Sequence, residues 1–264
     1  MTSETRAADA ASIPARQRPT AGSSFVEYAE SLLVTLLLAL FGTTFIVQAF
    51  KIPSQSMEPT LLVGDHLLVN KFIFEGRGAW YEKILPYRPI HRGDIIVFKF
   101  PYDDHPHYVK RVIGLPGDHI RIVKGQVIVN GTPLDEPYVV RERGSANSFS
   151  ENFPPSDPYF IAVGLRPEWS EHILNYVQQG ELAVPPNHYF AMGDNRDNSW
   201  DSRFWGFVDR DAIMGRPLVI YWSVEATSTD YADRGLAGAL RGIVTTLMHL
   251  PTRIRWRRML HAVH

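Results

Sequence analysis

The longest apolar stretch of the chain runs from Leu32 to Phe50, without a charged residue and with only three threonines and one glutamine as polar side chains. About 19 residues at a rise of about 1.5 Å each would form a helix about 28 Å long, close to the thickness of a bilayer core. The pattern therefore predicts one transmembrane helix over residues 25–50, which Pro53 would end. A cleaved signal peptide is the alternative, but this stretch is longer than the apolar part of such a peptide and no small-x-small cleavage site follows it.

Beyond Pro53 the pattern changes to short apolar segments separated by turn residues about every ten positions. Residues 93–100 and 108–113 predict the two strands of a hairpin, and residues 120–123 and 126–129 predict a second hairpin around Lys124-Gly125. Further strands are predicted at 65–71, 189–192 and 218–222. Helical periodicity is scarce in this part of the chain, so the predicted fold class is mostly β.

These patterns divide the chain into four predicted regions. They are a flexible tail at 1–24, the membrane helix at 25–50, a β-rich domain at 51–225 with a variable insertion at 141–186, and an amphipathic, basic C-terminal helix and tail at 226–264. In the last region apolar residues recur every three or four positions from 234 to 250, and a cluster of arginines follows. This region either docks on the β-rich domain with a solvated basic end or lies at a membrane surface and contacts anionic lipid.

Charge and composition narrow the functional classes. The formal net charge of −1 gives no support for nucleic-acid binding, and the absence of cysteine excludes disulfides, thiolate metal sites and a cysteine nucleophile. The segment from Asp103 to His107 has ligand-like spacing, but polar residues are expected at a hairpin tip, so neither a metal nor a cofactor is predicted. Arg6, Arg16 and Arg18 precede the apolar stretch and favour a cytoplasmic N-terminus, with the β-rich domain outside the cytoplasm.

A serine and a lysine are the main candidate reactive residues. Ser56 lies in a turn bounded by two prolines, directly after the apolar stretch. A serine hydroxyl is a weak nucleophile until a base takes its proton, and burial can make a lysine such a base by lowering its pKa from about 10.4. Lys110 lies among apolar neighbours in a predicted strand, beside Arg111, which would face the opposite side. Either Lys110 points outward, as most lysines do, or it points inward and forms a catalytic dyad with Ser56.

A third polar segment runs from Gly193 to Arg203. Its density of aspartate and asparagine is typical of a calcium loop, but it lacks the glycine at the sixth position and the closing glutamate of an EF-hand. We predict instead that Asp201 and Arg203 form an ion pair that holds this loop. Ser199 would then exchange a hydrogen bond with a neutral lysine and orient it.

Taken together and in this order, four segments resemble bacterial signal peptidase I, the leader peptidase family. They are Pro53 to Leu61, Arg92 to Lys99, Lys110 to Asp118, and Gly193 to Arg203. The resemblance implies that Ser56 is the nucleophile and Lys110 the general base, and that the Ser54 hydroxyl and the Ser56 backbone N–H form the oxyanion hole. It also implies that Ser199, Asp201 and Arg203 support this site.

The same resemblance implies a substrate and a location. Members of the family are membrane-bound serine endopeptidases that cleave signal peptides from exported preproteins after small-x-small sites, commonly Ala-x-Ala. The substrate pockets would be lined by Phe50, Ile52, Pro53, Leu61, Val97, Tyr108 and Val109. The expected location is the bacterial cytoplasmic (inner) membrane, crossed once, with preproteins and the lipid bilayer as partners and no nucleic acid. The sequence does not predict the oligomeric state.

The sequence departs from the family pattern at Gln55, a position often occupied by glycine, and it predicts one span where some members have two. Two alternatives to a signal peptidase stay open. One is a self-cleaving Ser/Lys protease of the repressor type, against which the predicted membrane helix argues. The other is an inactive, membrane-tethered binding scaffold of the same fold, against which the complete set of reactive side chains argues.

Overall fold

The computed structural model describes residues 21–43, 47–74, 87–100, 107–141, 151–156, 164–225 and 253–263. The chain divides into two compact units, Met1–Thr43 and Thr44–His264. Several predicted features lie outside the described residues: the tail at 1–20, the hairpin linker at 101–106, parts of the insertion at 142–150 and 157–163, and the helix at 234–250.

The first unit contains helix α1 (Ala21–Phe41), whose large apolar side chains from Phe25 to Phe41 are exposed. None of the helices in the described ranges is both long enough and apolar enough to cross a bilayer. The prediction of one helix over residues 25–50 is wrong at its C-terminal end, because Val47–Lys51 forms strand β1. An apolar run does not by itself distinguish a helix from a strand, and this part of the run pairs with a second strand.

The second unit is mostly β, as predicted. Its strands after β1 are β2 (Asp65–Asn70), β3 (Ile95–Lys99), β4 (His107–Gly114), β5 (His119–Val123), β6 (Gln126–Val129), β7 (Thr132–Pro133), β8 (Val177–Gln178), β9 (Glu181–Ala183), β10 (His188–Met192), β11 (Val208–Asp209), β12 (Ile213–Ser223) and β13 (His261–Ala262). An eight-stranded antiparallel sheet has the order β1-β2-β12-β3-β4-β10-β11, with β13 also paired to β12. A five-stranded antiparallel sheet has the order β7-β6-β5-β9-β8.

Strand β3 lies between two hydrophobic clusters of buried side chains. Ile95 and Val97 belong to the smaller cluster, whereas Ile96 and Phe98 belong to the larger one. A strand that is buried on both faces has a continuous apolar sequence rather than an alternating one, which explains the uninterrupted apolar run of β3. The smaller cluster also contains residues on both sides of Ser56, so the packed core extends to the predicted nucleophile.

Part of the predicted variable insertion belongs to the core. Residues 164–186 contain two short helices, α2 (Pro167–Ser170) and α3 (Ile173–Tyr176), and strands β8 and β9. The side chains of Trp169, Ile173 and Leu182 are buried in the larger cluster. The sequence pattern is weak here because each of these elements has only two to four residues, which is too short for a period to emerge.

The last described residues return to the eight-stranded sheet. Trp256–Arg258 forms a 3-10 turn, and the following strand β13 pairs with β12. Val263 is buried in the smaller cluster. Strand pairing and the burial of Val263 therefore dock residues 253–263 on the sheet, as the first alternative expects, while the side chains of Arg253 and Arg257 remain exposed.

Candidate active site

Ser56 lies in a 3-10 turn, Gln55–Met57, between strands β1 and β2, and is 7% exposed. Its carbonyl oxygen accepts a hydrogen bond from the Asn195 amide at 3.2 Å, and the Leu61 amide donates to the Met57 carbonyl at 2.9 Å. The Met57 side chain is buried in the smaller cluster. Main-chain hydrogen bonds and side-chain burial together fix the position of this turn.

Lys110 extends from β4 to the Ser56 hydroxyl. Its Nζ donates a hydrogen bond to Ser56 Oγ at 2.6 Å, and the residue is only 3% exposed. Burial lowers the pKa of Lys110 to about 8, because the ammonium loses its water; nearby Asp201 raises that pKa and Arg203 lowers it. Of the two orientations that the sequence left open, the structure has the inward one.

Arg111 is buried as well, so the inference that only one of two neighbouring cations would point inward is wrong. Its Nε and Nη2 bond the two carboxylate oxygens of Asp194 at 2.8 and 2.7 Å. Asp194 also accepts a hydrogen bond from the Thr60 hydroxyl at 2.6 Å. The guanidinium tolerates burial because a carboxylate neutralises it, and the pair links β4 to the chain that follows the Ser56 turn.

Asp201 is the polar centre of the third segment. It is fully buried and accepts hydrogen bonds from Arg203 Nε and Nη2, each at 2.8 Å, from Ser199 Oγ at 2.8 Å and from the Gly193 amide at 3.0 Å. Burial alone would raise the pKa of Asp201, but the charge and hydrogen bonds of Arg203, with the Gly193 amide, together lower it. The predicted ion pair between Asp201 and Arg203 is therefore present.

Ser199 has a different partner from the predicted one. Its hydroxyl donates to Asp201, and among the described residues no hydrogen bond joins Ser199 to Lys110. Ser199 nevertheless lies next to the Ser56 turn, with Gly193 between them. A Cβ on Gly193 would be 2.3 Å from Ser199 Oγ and 2.4 Å from the Ser56 carbonyl oxygen, so only glycine allows this approach.

Ser54 lies beside Ser56. Its hydroxyl oxygen is 3.4 Å from Ser56 Oγ, and the residue is exposed. Gln55, between them, accepts a hydrogen bond from Asn198 Nδ2 at 3.1 Å, which adds a side-chain link between this turn and the third polar segment. The Gln55 side chain, at the position where the sequence departs from the expected pattern, therefore has a hydrogen-bond partner in the structure.

The predicted pocket residues fall into three groups. Those that belong to the smaller cluster or pack against it are Phe50, Ile52, Leu61, Val97 and Val109. Pro53 is exposed. Tyr108 packs against the larger cluster instead, with its ring centre 5.8 Å from Lys110 Nζ. Neighbouring residues of a strand point to opposite faces, so β4 separates the Tyr108 ring from the Val109 side chain.

Sequence reasoning gave no role to several residues that hold the site together. They are Thr60, Gly193, Asp194 and Asn195. The sequence contained one indication of the role of Asp194. An arginine in an apolar strand, such as Arg111, is buried only with an anionic partner, and the polar segment from Gly193 to Arg203 contains aspartates that could be that partner.

A family model that matches the sequence identifies the family of this chain. The model for signal peptidase, peptidase S26, matches residues 25–222, which is well over half of the chain. The chain belongs to this family. The predicted family and its class, a serine endopeptidase, are confirmed. The match includes the Ser56 turn, strand β4 and the third polar segment.

Relatives with the same family name align over most of the chain. Signal peptidase I of Pseudomonas aeruginosa is 37% identical over 213 residues, which is 75% of this chain and 72% of that protein. Signal peptidase I of Aquifex aeolicus is 35% identical over 253 residues, 84% of this chain and 94% of that protein. Signal peptidase I of Leptolyngbya laminosa is 34% identical over 218 residues, 80% of this chain and 86% of that protein.

Proposed function

We propose that this signal peptidase family member cleaves exported preproteins after small-x-small sites, with Ser56 as the nucleophile and Lys110 as the general base. The observation that carries the proposal is the 2.6 Å contact between Lys110 Nζ and Ser56 Oγ. Because burial lowers the pKa of Lys110 to about 8, about one molecule in ten has a neutral amine at pH 7. A neutral amine at this distance can take the hydroxyl proton.

Acylation then proceeds in two steps. The Lys110 amine takes the Ser56 proton as Oγ attacks the carbonyl carbon of the scissile bond, and the carbonyl electrons move to oxygen. The tetrahedral intermediate collapses with cleavage of the C–N bond, and the Lys110 ammonium gives its proton to the leaving amine. The mature protein leaves with its new amino group, and the signal peptide remains as an ester on Ser56.

Deacylation repeats these two steps with water as the nucleophile. Lys110 takes a proton from water as the water oxygen attacks the ester carbon, and it returns that proton to Ser56 Oγ when the C–O bond breaks. The signal peptide leaves as a carboxylic acid. Ser56 and Lys110 return to their starting protonation states, and no other co-reactant is required.

In this proposal the Ser56 backbone N–H and the Ser54 hydroxyl stabilise the oxyanion. The Ser54 oxygen lies 3.4 Å from Ser56 Oγ, so its freely rotating hydroxyl can reach an oxygen on the carbon that Ser56 attacks. Removal of one donor of this kind costs about 2.7–4 kcal/mol of transition-state stabilisation. Asp201 supports the dyad by position, because it accepts a hydrogen bond from the Gly193 amide and so holds Gly193 against the Ser56 turn, and Ser199 and Arg203 in turn donate to Asp201.

Packing supports the preference for small side chains. Ile52, Leu61 and Val97 are buried and belong to the smaller cluster, so their side chains are already in contact with the core. Phe50 and Val109 lie over that cluster and are partly exposed. A wall built in this way accepts alanine or glycine at its surface but offers no depth for a large side chain.

The test of this proposal is cleavage of an Ala-x-Ala preprotein by wild type, Ser56→Ala and Lys110→Ala. The control is Lys124→Asn, at an exposed turn with a φ of 48°, a backbone conformation that asparagine tolerates. We expect both dyad variants to lose cleavage and the control to keep it. Wild-type turnover in either dyad variant would end the assignment, and a folded wild type without turnover would favour the inactive scaffold.

We further propose that the residues before β1 attach the enzyme to the bacterial inner membrane, with the N-terminus in the cytoplasm and the catalytic unit outside it. The exposed apolar side chains of α1 and the arginines that precede it support this location. Attachment would raise the local concentration of preproteins held at the same bilayer. Protease added to intact spheroplasts should digest the catalytic unit, and full protection would contradict this topology.

A further inference from the structure

The C-terminal segment, residues 253–263, contacts the loop that follows the Ser56 turn. We call residues 58–65 the nucleophile loop. Arg258 Nη2 donates to the Thr60 carbonyl oxygen at 2.9 Å and to Asp65 Oδ2 at 2.6 Å, and Arg258 Nε donates to Asp65 Oδ1 at 3.3 Å. One guanidinium therefore holds the loop at two points.

Asp65, the anionic partner of Arg258, is completely buried and holds several elements together. Its carboxylate also accepts hydrogen bonds from the Ser223 hydroxyl at 2.6 Å and from the Leu62 amide at 2.9 Å. Its carbonyl oxygen accepts from the Ile52 amide at 2.9 Å. Through Asp65, Arg258 is connected to the chain on both sides of the Ser56 turn.

Thr60 connects the nucleophile loop to a second ion pair. Its hydroxyl donates to Asp194, which is paired with Arg111, and its carbonyl accepts from Arg258. Arg111 belongs to β4, the strand that carries Lys110. The nucleophile loop, which directly follows the Ser56 turn, is thus fastened to strand β4 through Asp194 and Arg111 and to the C-terminal segment through Arg258.

We propose that Arg258 is a positioning residue for the Ser56 nucleophile, acting through Thr60 and Asp65 to keep the Ser56 hydroxyl within reach of Lys110. The inference rests on the dyad mechanism proposed above. A guanidinium presents its N–H groups in a fixed fork, so Arg258 can bond a carboxylate and a carbonyl at once, whereas a lysine has one nitrogen for both. Displacement of a reacting group by about 1 Å costs about 10²-fold in rate.

The C-terminal segment has other attachments, which separate positioning from docking. The Leu260 amide donates to the Ile220 carbonyl at 2.7 Å, the Val263 amide donates to the Leu218 carbonyl at 3.0 Å, and Val263 is buried. These contacts do not involve the guanidinium. Replacement of Arg258 by lysine should therefore leave the segment on the sheet while it removes the bond to Thr60 or weakens the pair with Asp65.

The experiment measures kcat and KM on an Ala-x-Ala preprotein for the full-length wild type, Arg258→Lys, Arg258→Gln and Arg257→Gln. Arg257 is an exposed neighbour and serves as the matched control. We expect kcat to fall about tenfold in Arg258→Lys and further in Arg258→Gln. We expect KM to change by less than about twofold, because Ile52 and Leu61 of the proposed substrate wall stay packed in the smaller cluster. Arg257→Gln should keep both constants.

Chemical rescue distinguishes positioning from general loss of structure. Millimolar guanidinium chloride should raise the kcat of Arg258→Ala, and sodium chloride at the same concentration should not. The rates are normalised to the folded fraction from thermal unfolding, so that loss of folded protein does not count as loss of catalysis. Where Arg258→Gln or Arg258→Ala does not fold, Arg258→Lys decides, since it keeps the positive charge beside Asp65.

The outcomes separate this inference from the dyad proposal. Wild-type kcat per folded molecule in Arg258→Lys and Arg258→Gln overturns the positioning role and leaves the dyad intact. Full cleavage by Ser56→Ala, assayed alongside these variants, overturns the dyad instead. A lowered kcat in the Arg258 variants with unchanged KM, together with rescue by guanidinium alone, supports the positioning role.

Discussion

In the proposed mechanism Lys110 acts as a base only when its amine is neutral, so the pH dependence of cleavage should report the pKa of Lys110. With a pKa of about 8, the neutral fraction is about 9% at pH 7 and about 91% at pH 9, and kcat/KM should rise about tenfold over this interval and then level off. A lysine with the ordinary pKa of 10.5 would instead be about 0.03% neutral at pH 7 and about 3% at pH 9. Its kcat/KM would rise about 100-fold and would still be rising at pH 9.

The same lowered pKa means that burial of the Lys110 ammonium destabilises the folded state. Lowering the pKa from 10.5 to about 8 corresponds to about 3 kcal/mol at 1.36 kcal/mol for each unit. The folded pKa lies below the unfolded one, so the unfolded chain binds more protons between about pH 8 and 10.5, and the free energy of unfolding rises with pH in that window. At pH 7 the full penalty is present. Lys110→Met should therefore be more stable than wild type by up to about 3 kcal/mol at pH 7, and the difference should shrink towards pH 10.5.

Two assays check this reasoning. Steady-state cleavage of an Ala-x-Ala peptide in buffers of constant ionic strength gives the rate profile, and urea unfolding of wild type and Lys110→Met gives the stability difference. A rate that keeps rising about tenfold for each pH unit through pH 9 would refute the lowered pKa. A Lys110→Met variant that is less stable than wild type at pH 7 would refute the claim that burial of the ammonium is costly.

Three further substitutions test other parts of the site. Asp201→Asn removes the charge that raises the pKa of Lys110 and leaves Arg203, which lowers that pKa, so the midpoint of the rate profile should move to lower pH. The free energy of unfolding in urea should also fall by about 3–5 kcal/mol, because Arg203 stays buried without its anionic partner. Gly193→Ala places a Cβ 2.4 Å from the Ser56 carbonyl oxygen and should lower the single-turnover cleavage rate about 10²-fold. Leu61→Ala empties a fully buried position and should cost about 2–5 kcal/mol in urea unfolding.

Each of these predictions has a control or a contrary result. Gly42→Ala is the control for Gly193→Ala, since nothing lies within 4 Å of an added Cβ at Gly42, and equal rates in the two glycine variants would show that the close approach is unimportant. An unchanged or higher midpoint in Asp201→Asn would contradict the assigned influence of its charge. A loss below about 1 kcal/mol in Leu61→Ala would mean that the cluster closes over the vacancy.

The sequence was informative where local pattern determines structure. The apolar runs of β3, β4, β5 and β6 predict these strands nearly to the residue, because strands buried in this way require continuous or alternating apolar side chains. The motif around Ser56 and the position of Lys110 indicated the pair that the structure brings to 2.6 Å. Both conclusions needed only residues close together in sequence and a family resemblance.

The sequence was less informative where contacts between residues far apart in the chain determine the structure. Burial of Arg111 depends on Asp194, 83 residues away, and no local pattern reports such a partner. Ser199 bonds Asp201 rather than Lys110, because a neighbouring carboxylate is the stronger acceptor. The end of α1 was misplaced because its apolar run continues into β1 without a break in composition.

The ion pair between Arg258 and Asp65 joins residues 193 positions apart. A ribosome makes the chain from its N-terminus, so Ser56 and Lys110 both exist well before the guanidinium that completes this part of the fold has been added. Contacts of such long range form late and slowly. A nascent chain that has not yet reached Arg258 therefore lacks this ion pair, so the last bonds that fasten the nucleophile loop can form only long after Ser56 and Lys110 have been synthesised.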